Sequence, residues 1–371
     1  MAQPRPSSPV RVAAGSGTLT SRGRGSPWSR RRLVLVGAAG LALAVSAVAA
    51  EAILRTRAPE WAVVHPPVNF RPDLFEAAPF GYRLKAGGPY VYAYARSRLR
   101  PVTIHVDRDG FRSRRPAGTA DSRPRIGVLG DSMVFGQGVE EDERFTELIE
   151  ARRPGWRVDN LGMVGFGTDL MIRALEAVGL REQPTAVVLC VYTDDLRRVV
   201  TSYVGMGFPL PKYVLANGAL ETIDYPEPRL WERLRLYQAV HYAVTRRTPS
   251  TFPLNEAILD RFLDLSEAHA FVPVVVYAPS PDDGWDDRMR RDFLGGWAAD
   301  RGARFLDLGD AIARAGGKAL YLDSDSHWNA AGHAVVAAEM TRYLERAVPA
   351  LAISGEDGKN VGRGMMARDG Q

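Results

Sequence analysis

The sequence predicts an α/β protein built on a parallel sheet with helices on both faces. Short apolar runs alternate with helix-length segments from about residue 125 to residue 346, the pattern of βα units. The strongest runs are apolar at every position rather than at alternate ones, as strands buried on both sides require. The chain has 371 residues, 46% of them hydrophobic and 25% charged. That is enough for one large domain with accessory segments.

Residues 1–32 are rich in Ser, Gly, Pro and Arg and predict a disordered basic tail. Residues 33–54 predict a transmembrane anchor. Leu33 to Ala50 carries no charge over 18 residues, and a bilayer span needs about 17–25. Arg30, Arg31 and Arg32 precede it, so the positive-inside rule keeps the tail in the cytoplasm and exports the bulk of the chain. Val48-Ala49-Ala50 also suits a signal-peptide cleavage site. The long basic lead and the length of the run favour an uncleaved anchor.

Residues 55–120 predict a small β-rich accessory segment. Tyr90-Val91-Tyr92-Ala93-Tyr94 alternates aromatic and small residues, and Val102-Thr103-Ile104-His105-Val106 is β-branched. Asp107-Arg108-Asp109-Gly110 predicts a turn.

Residues 121–350 predict the main domain. Strands are expected at Ile126–Leu129, Trp156–Val158, 185–192, Val272–Tyr277 and Arg304–Leu308. Helices are expected near 141–152, 168–180, 254–269, 286–301 and 330–346. Five prolines between 197 and 252 mark that stretch as an insertion. Its aromatic residues Tyr203, Phe208, Tyr213, Tyr225 and Trp231 suit packing of the insertion more than stacking on a ligand. Residues 351–371 are Gly-rich and polar and predict a disordered tail.

Charge narrows the function classes. The net charge is +5, but seven arginines and no acidic residue lie in the first 32 positions. The rest holds 41 basic against 43 acidic residues, so the body carries no nucleic-acid footprint. A single cysteine, Cys190, excludes an intramolecular disulfide or a cysteine-based metal site, and its apolar neighbours predict burial. No cofactor motif is present.

Open parallel sheets bind ligands at the carboxyl ends of their strands. Gly130-Asp131-Ser132 follows the first strand, where a serine acts either as a nucleophile or as a helix cap. Neither the Walker lysine nor a Gly-x-Ser-x-Gly elbow accompanies it. Asn160-Leu161-Gly162-Met163-Val164-Gly165 follows the second strand, with glycines that let backbone approach a ligand. Thr193-Asp194-Asp195 follows the third; a carboxylate pair without a histidine is a weak metal site. Asp325-Ser326-His327-Trp328 follows the last. A carboxylate two residues before a histidine can hold one imidazole nitrogen and leave the other for a nucleophile.

In this order, the four segments resemble the blocks of the SGNH/GDSL hydrolase superfamily over roughly residues 125–346. The resemblance implies a three-layer α/β/α sandwich with a flavodoxin-like parallel sheet. It implies Ser132 as nucleophile, His327 as base, Asp325 as acid, and an oxyanion hole at Ser132, Gly165 and the Asp194 position. Two departures stand out. The family's usual acid position, three before the histidine, is Ser324, and Asp325 instead resembles the Asp-x-His-Trp variant of the alginate O-acetylation branch. Asp194 stands where the family has asparagine, and an ionised aspartate repels an oxyanion that asparagine would bind. The expected function is an exported, membrane-anchored serine esterase acting on an O-acylated small molecule or glycan. O-acetyl transfer to a cell-envelope polysaccharide is the second reading, and a glycan-binding domain without turnover is the third.

Overall fold

The computed structural model describes residues 27–57, 72–92, 101–115, 121–199, 211–223, 230–247, 251–282, 284–323 and 325–351. The chain divides into two units, Met1–Ile53 and Leu54–Gln371.

The first unit is built around helix α1 (Pro27–Arg57). Proline suits the first helical turn because its missing N–H would be unpaired there anyway. The arginines at 30–32, expected in the tail, therefore belong to the helix. Within its stretch Arg31–Thr56 an 18-residue apolar window is not buried by protein, and the whole stretch is 26 residues long. At 1.5 Å per residue that is about 39 Å, more than the roughly 30 Å of a bilayer core. By length and composition it can cross a membrane, and a signal sequence meets the same description. Of the tail expected at 1–32, residues 1–26 lie outside the described residues, as do residues 352–371.

The second unit opens with two antiparallel hairpins, β1 (Phe75–Ala78) with β2 (Gly81–Leu84), and β3 (Gly87–Tyr92) with β4 (Val102–Val106). Only the second was expected. Strand β5 (Arg125–Gly130) then leads into a one-turn helix α2 (Ser132–Phe135) and α3 (Phe145–Arg152). Strand β6 (Arg157–Gly162), α4 (Thr168–Ala177), β7 (Ala186–Tyr192) and α5 (Asp195–Arg198) follow. The insertion carries a hairpin, β8 (Lys212–Ala216) with β9 (Ala219–Ile223), and helix α6 (Arg235–Arg247). The chain returns with α7 (Phe252–His269), β10 (Val272–Ala278), α8 (Trp285–Arg301), β11 (Arg304–Asp307), α9 (Gly309–Ala315) and α10 (Ala330–Ala347).

Strands β5, β6, β7, β10 and β11 form one wholly parallel sheet in the order β11-β10-β7-β5-β6. Counted within the sheet this is 2-1-3-4-5, the flavodoxin-like order, with its switch point between β5 and β7. Successive residues of a strand point to opposite faces. Val187, Leu189 and Val191 therefore join one core with Ile258, Phe262, Leu294 and Trp297 of α7 and α8. Val188 and Cys190 join the other with Phe145, Ile149, Val336, Met340 and Leu344 of α3 and α10. Both faces are covered, so the three-layer expectation holds.

The N-terminal hairpins do not form a core of their own. Tyr82, Tyr92, Ile104 and Phe111 are fully buried within the first of these cores. The reason is size: a two-stranded hairpin is marginal alone and needs a partner surface. Here that surface is the set of loops at the carboxyl edge of β5 and β6. Tyr82 lies edge-on to Phe166 at 5.2 Å between ring centres, and Tyr92 meets Phe135 at 5.9 Å. Arg112, also fully buried, donates from its guanidinium to the carbonyls of Gly136 (2.7 Å) and Val139 (2.9 Å), beyond α2.

Of the insertion aromatics, Tyr213 is buried and donates to Glu176 Oε2 at 2.8 Å, while Trp231 is half exposed. Tyr203, Phe208 and Tyr225 lie outside the described residues.

Candidate active site

Ser132 opens α2, just after β5, a strand paired on both sides by β6 and β7. Asp131 caps this helix, its Oδ1 accepting from the Met133 N–H at 2.8 Å. The turn is tight. A Cβ on Gly162 of β6 would lie 2.4 Å from the backbone N of Phe135, so the neighbouring strand approaches α2 as only glycine permits. Asn160 completes the clamp. Its Nδ2 donates to the Val134 carbonyl at 2.7 Å and its Oδ1 accepts from the Gly162 N–H at 3.0 Å.

His327 comes from the loop before α10. That loop is fixed at both sides. Trp328 is fully buried, and Asn329 caps α10 through Gly332 N–H while donating to the carbonyls of Ala319 and Tyr321. Ser132 Oγ lies 2.6 Å from His327 Nε2. Asp325 Oδ1 is hydrogen-bonded to His327 Nδ1 and also accepts the His327 backbone N–H at 3.1 Å. A carboxylate at Nδ1 fixes the tautomer, so Nδ1–H donates to Asp325 and Nε2 is left to accept from the serine hydroxyl. Burial alone would raise the Asp325 carboxyl, but the hydrogen bonds and charge of His327 together with the backbone N–H of Ser326 outweigh it and hold the group ionised, below the usual range.

Gly165 sits in the loop after β6. Phe166 N–H donates to the Met163 carbonyl at 3.2 Å, closing a turn with Val164 and Gly165 in the middle. Gly165 has φ +82, the left-handed value that the third residue of a type II turn needs.

Asp194 ends the β7 loop. Its carboxylate accepts from Arg290 Nη1 and Arg197 Nη2, each at 3.2 Å. Burial opposes its charge, but Arg197, Arg198 and Arg290 outweigh that and hold its carboxyl below the ordinary value. It is therefore an acceptor with no hydrogen to offer. Arg290 Nη1 also reaches Thr193 Oγ1 at 3.3 Å.

The sequence reasoning missed the arginines. Arg198 Nη1 donates to Asp131 Oδ2 (2.8 Å), to the Phe166 carbonyl (3.0 Å) and to Asp195 Oδ1. One guanidinium thus ties together the loops after β5, β6 and β7. Asp195 is fully buried, and burial with Asp131 nearby pushes its carboxyl well up. Arg290 gave no signal because an arginine in a helix reads as surface, and Arg198 fell within the stretch read as an insertion.

The sequence matches the family model of the GDSL-like Lipase/Acylhydrolase family over residues 128–335, more than half of the chain. The chain belongs to this family. Solved structures to which the chain is similar include the psychrotrophic esterase EstA from Pseudoalteromonas sp., at 16% identity and a TM-score of 0.39, covering 60% of this chain and 97% of that one. A member of the lipolytic protein G-D-S-L family from Veillonella parvula DSM 2008 matches at 14% identity and TM-score 0.36, covering 59% and 96%. An acetyl xylan esterase, AlAXEase, matches at 14% identity and TM-score 0.39, covering 58% and 97%. Among curated proteins none matches. As a family member the chain is a GDSL-type hydrolase, and the family's substrates are esters and other acylated molecules. Most of the matched segment lies in the sheet and its helices, and the hairpins of β1 to β4 fall before it.

Proposed function

We propose that the chain is a serine esterase in which Ser132, His327 and Asp325 act as a triad. The observation that carries this reading is the Ser132 Oγ to His327 Nε2 contact at 2.6 Å with Asp325 on the far nitrogen. Ser132 Oγ attacks the ester carbonyl as its proton passes to His327 Nε2. Asp325 steadies the imidazolium that forms. The tetrahedral oxyanion is held by the N–H groups of Ser132 and Gly165. The Ser132 amide is at the first helical position, where helix geometry supplies no internal partner. His327 then gives its proton to the departing alcohol, leaving an acyl-enzyme. Water, deprotonated by His327, releases the acid and restores the serine.

Asp194 stands at the family's asparagine position but serves differently. Its charge anchors Arg290 and Arg197 rather than donating to the oxyanion.

Fluorophosphonate labelling tests the reading. Wild-type protein forms a covalent adduct and Ser132→Ala forms none. Absence of a serine-dependent adduct on folded wild type sinks it.

A second acceptor is favoured by Asp325-Ser326-His327-Trp328, the variant motif, together with the apolar N-terminal helix. In that reading a sugar hydroxyl on an exported polysaccharide replaces water and the product is an O-acetyl glycan. Mass spectrometry of an acetyl donor incubated with oligosaccharide separates the two: a mass gain of one acetyl group marks transfer, free acetate alone marks hydrolysis. The arginines at 30–32, ahead of the apolar run, support a catalytic unit outside the cytoplasm in both cases.

A further inference from the structure

The N-terminal hairpins touch the candidate oxyanion loop at one polar point. Tyr82 Oη donates to the Val164 carbonyl at 2.5 Å, across 82 residues of sequence. Tyr82 is fully buried, with Phe75 at 6.0 Å and Phe166 at 5.2 Å between ring centres, both edge-on. Its hydroxyl has no solvent alternative, and burial keeps the phenol protonated by pushing its pKa up.

The Val164 carbonyl and the Gly165 N–H belong to one peptide plane. In a trans peptide they point in opposite directions. This plane is the middle one of the Met163–Phe166 turn, whose ends are pinned by the Phe166 N–H bond to Met163 O. Types I and II of such a turn differ by a flip of that middle plane, and glycine at the third position tolerates both. The end planes are thus fixed by the turn, while the middle one needs its own restraint.

We propose that Tyr82 is a positioning residue for the oxyanion hole: by holding the Val164 carbonyl it locks the central peptide so that the Gly165 N–H faces the reacting carbonyl. The inference rests on the esterase reading above and adds to it a control that lies outside the matched family segment. The bond also polarises the peptide, since a hydrogen bond accepted at C=O makes the same unit's N–H a better donor. Arg198 supports the loop two peptides further on, at the Phe166 carbonyl, but that plane does not contain the Gly165 amide.

Tyr82→Phe removes the hydroxyl and keeps the ring. The full chain is assayed with p-nitrophenyl acetate and with a fluorophosphonate, alongside Phe80→Leu. Phe80 shares the same aromatic cluster, 6.2 Å from Phe166, and makes no side-chain hydrogen bond. The expected result for Tyr82→Phe is a kcat lower by roughly 5- to 30-fold with KM unchanged, below the ~100-fold or more of losing a donor outright. The phosphonylation rate falls in parallel. Phe80→Leu lowers Tm at least as much and leaves kcat within about twofold. Activity of Tyr82→Phe within twofold of wild type overturns the proposal, as does an equal loss of kcat in Phe80→Leu. If wild type itself shows no Ser132-dependent adduct, the esterase reading and this proposal fall together. If it labels and Tyr82→Phe labels equally fast, only the role of Tyr82 falls.

Discussion

Ser132 carries one hydroxyl hydrogen and has two acceptors in reach, His327 Nε2 at 2.6 Å and Asp131 Oδ2 at 3.3 Å. The shorter contact takes the proton, and Asp131 Oδ2 is in any case already held by Arg198 at 2.8 Å. The same arithmetic of donors defines Asp325. An asparagine there still fits but can present its NH₂ to Nδ1, which favours the wrong imidazole tautomer. Asp325→Asn is expected to lower kcat by as much as about 10⁴-fold with Tm nearly unchanged, measured by steady-state hydrolysis and thermal melting. A loss of less than tenfold sinks the triad assignment. Asp325 and His327 were legible in sequence because they are two positions apart in one polar loop. Tyr82 was not. It reaches Val164 only through the fold, and a buried tyrosine in an ordinary hairpin announces nothing about its hydroxyl.

At the scale of elements, α10 shows how the site is supported from below. His333 lies one turn into this helix, fully buried, stacked on Phe145 at 5.9 Å, with its Nδ1 accepting the Phe145 N–H at 3.3 Å. Burial, with Arg144 and Arg112 nearby, drops its pKa from the usual 6.5 to about 3. Between those values the unfolded chain binds a proton that the folded chain refuses. Stability is therefore full above about pH 6.5 and declines as the pH falls toward 3. His333→Gln is expected to melt lower at pH 7.5, because packing is lost. Its stability should also fall less between pH 6.5 and 4.5, by up to about 1.4 kcal/mol per pH unit. Urea midpoints at the two pH values check this, and an unchanged slope refutes it. Strands read well in sequence where they were wholly apolar, as in β7 and β10. Strand β6 was expected at Trp156–Val158 but runs Arg157–Gly162, because its Asp159 and Asn160 are polar for local reasons. Asn160 is spent on holding α2. Helix α2 escaped notice because one turn is too short to show a period. The β8–β9 hairpin had a usable signal: Asn217-Gly218, with φ +52 and +82, is the two-residue turn that such hairpins favour.

At the scale of the whole molecule, the segment expected at 55–120 as a β-rich accessory contributes its aromatics to the core beside the loops after β5 and β6. Nothing in its short strands announces that packing, because the partner residues Phe135 and Phe166 lie in segments that follow other strands. A chain beginning at residue 121 keeps all of the matched family segment but uncovers Phe135 and Phe166. It is expected to melt at least 10 °C lower or to aggregate, and to lose most activity, since each large buried side chain is worth about 1.5–3 kcal/mol. Differential scanning fluorimetry and ester hydrolysis decide it; full activity with unchanged Tm would show the hairpins to be dispensable. The spacing of the proposed triad has one more effect, in time rather than space. Ser132 and His327 are 195 residues apart, and the histidine follows the last strand of the sheet. At about 5–20 residues per second, roughly 10–40 s of synthesis separate them. On the esterase reading proposed above, the emerging serine has no base throughout that interval, and the chain acquires its chemistry only as α10, the last helix among the described residues, is being made.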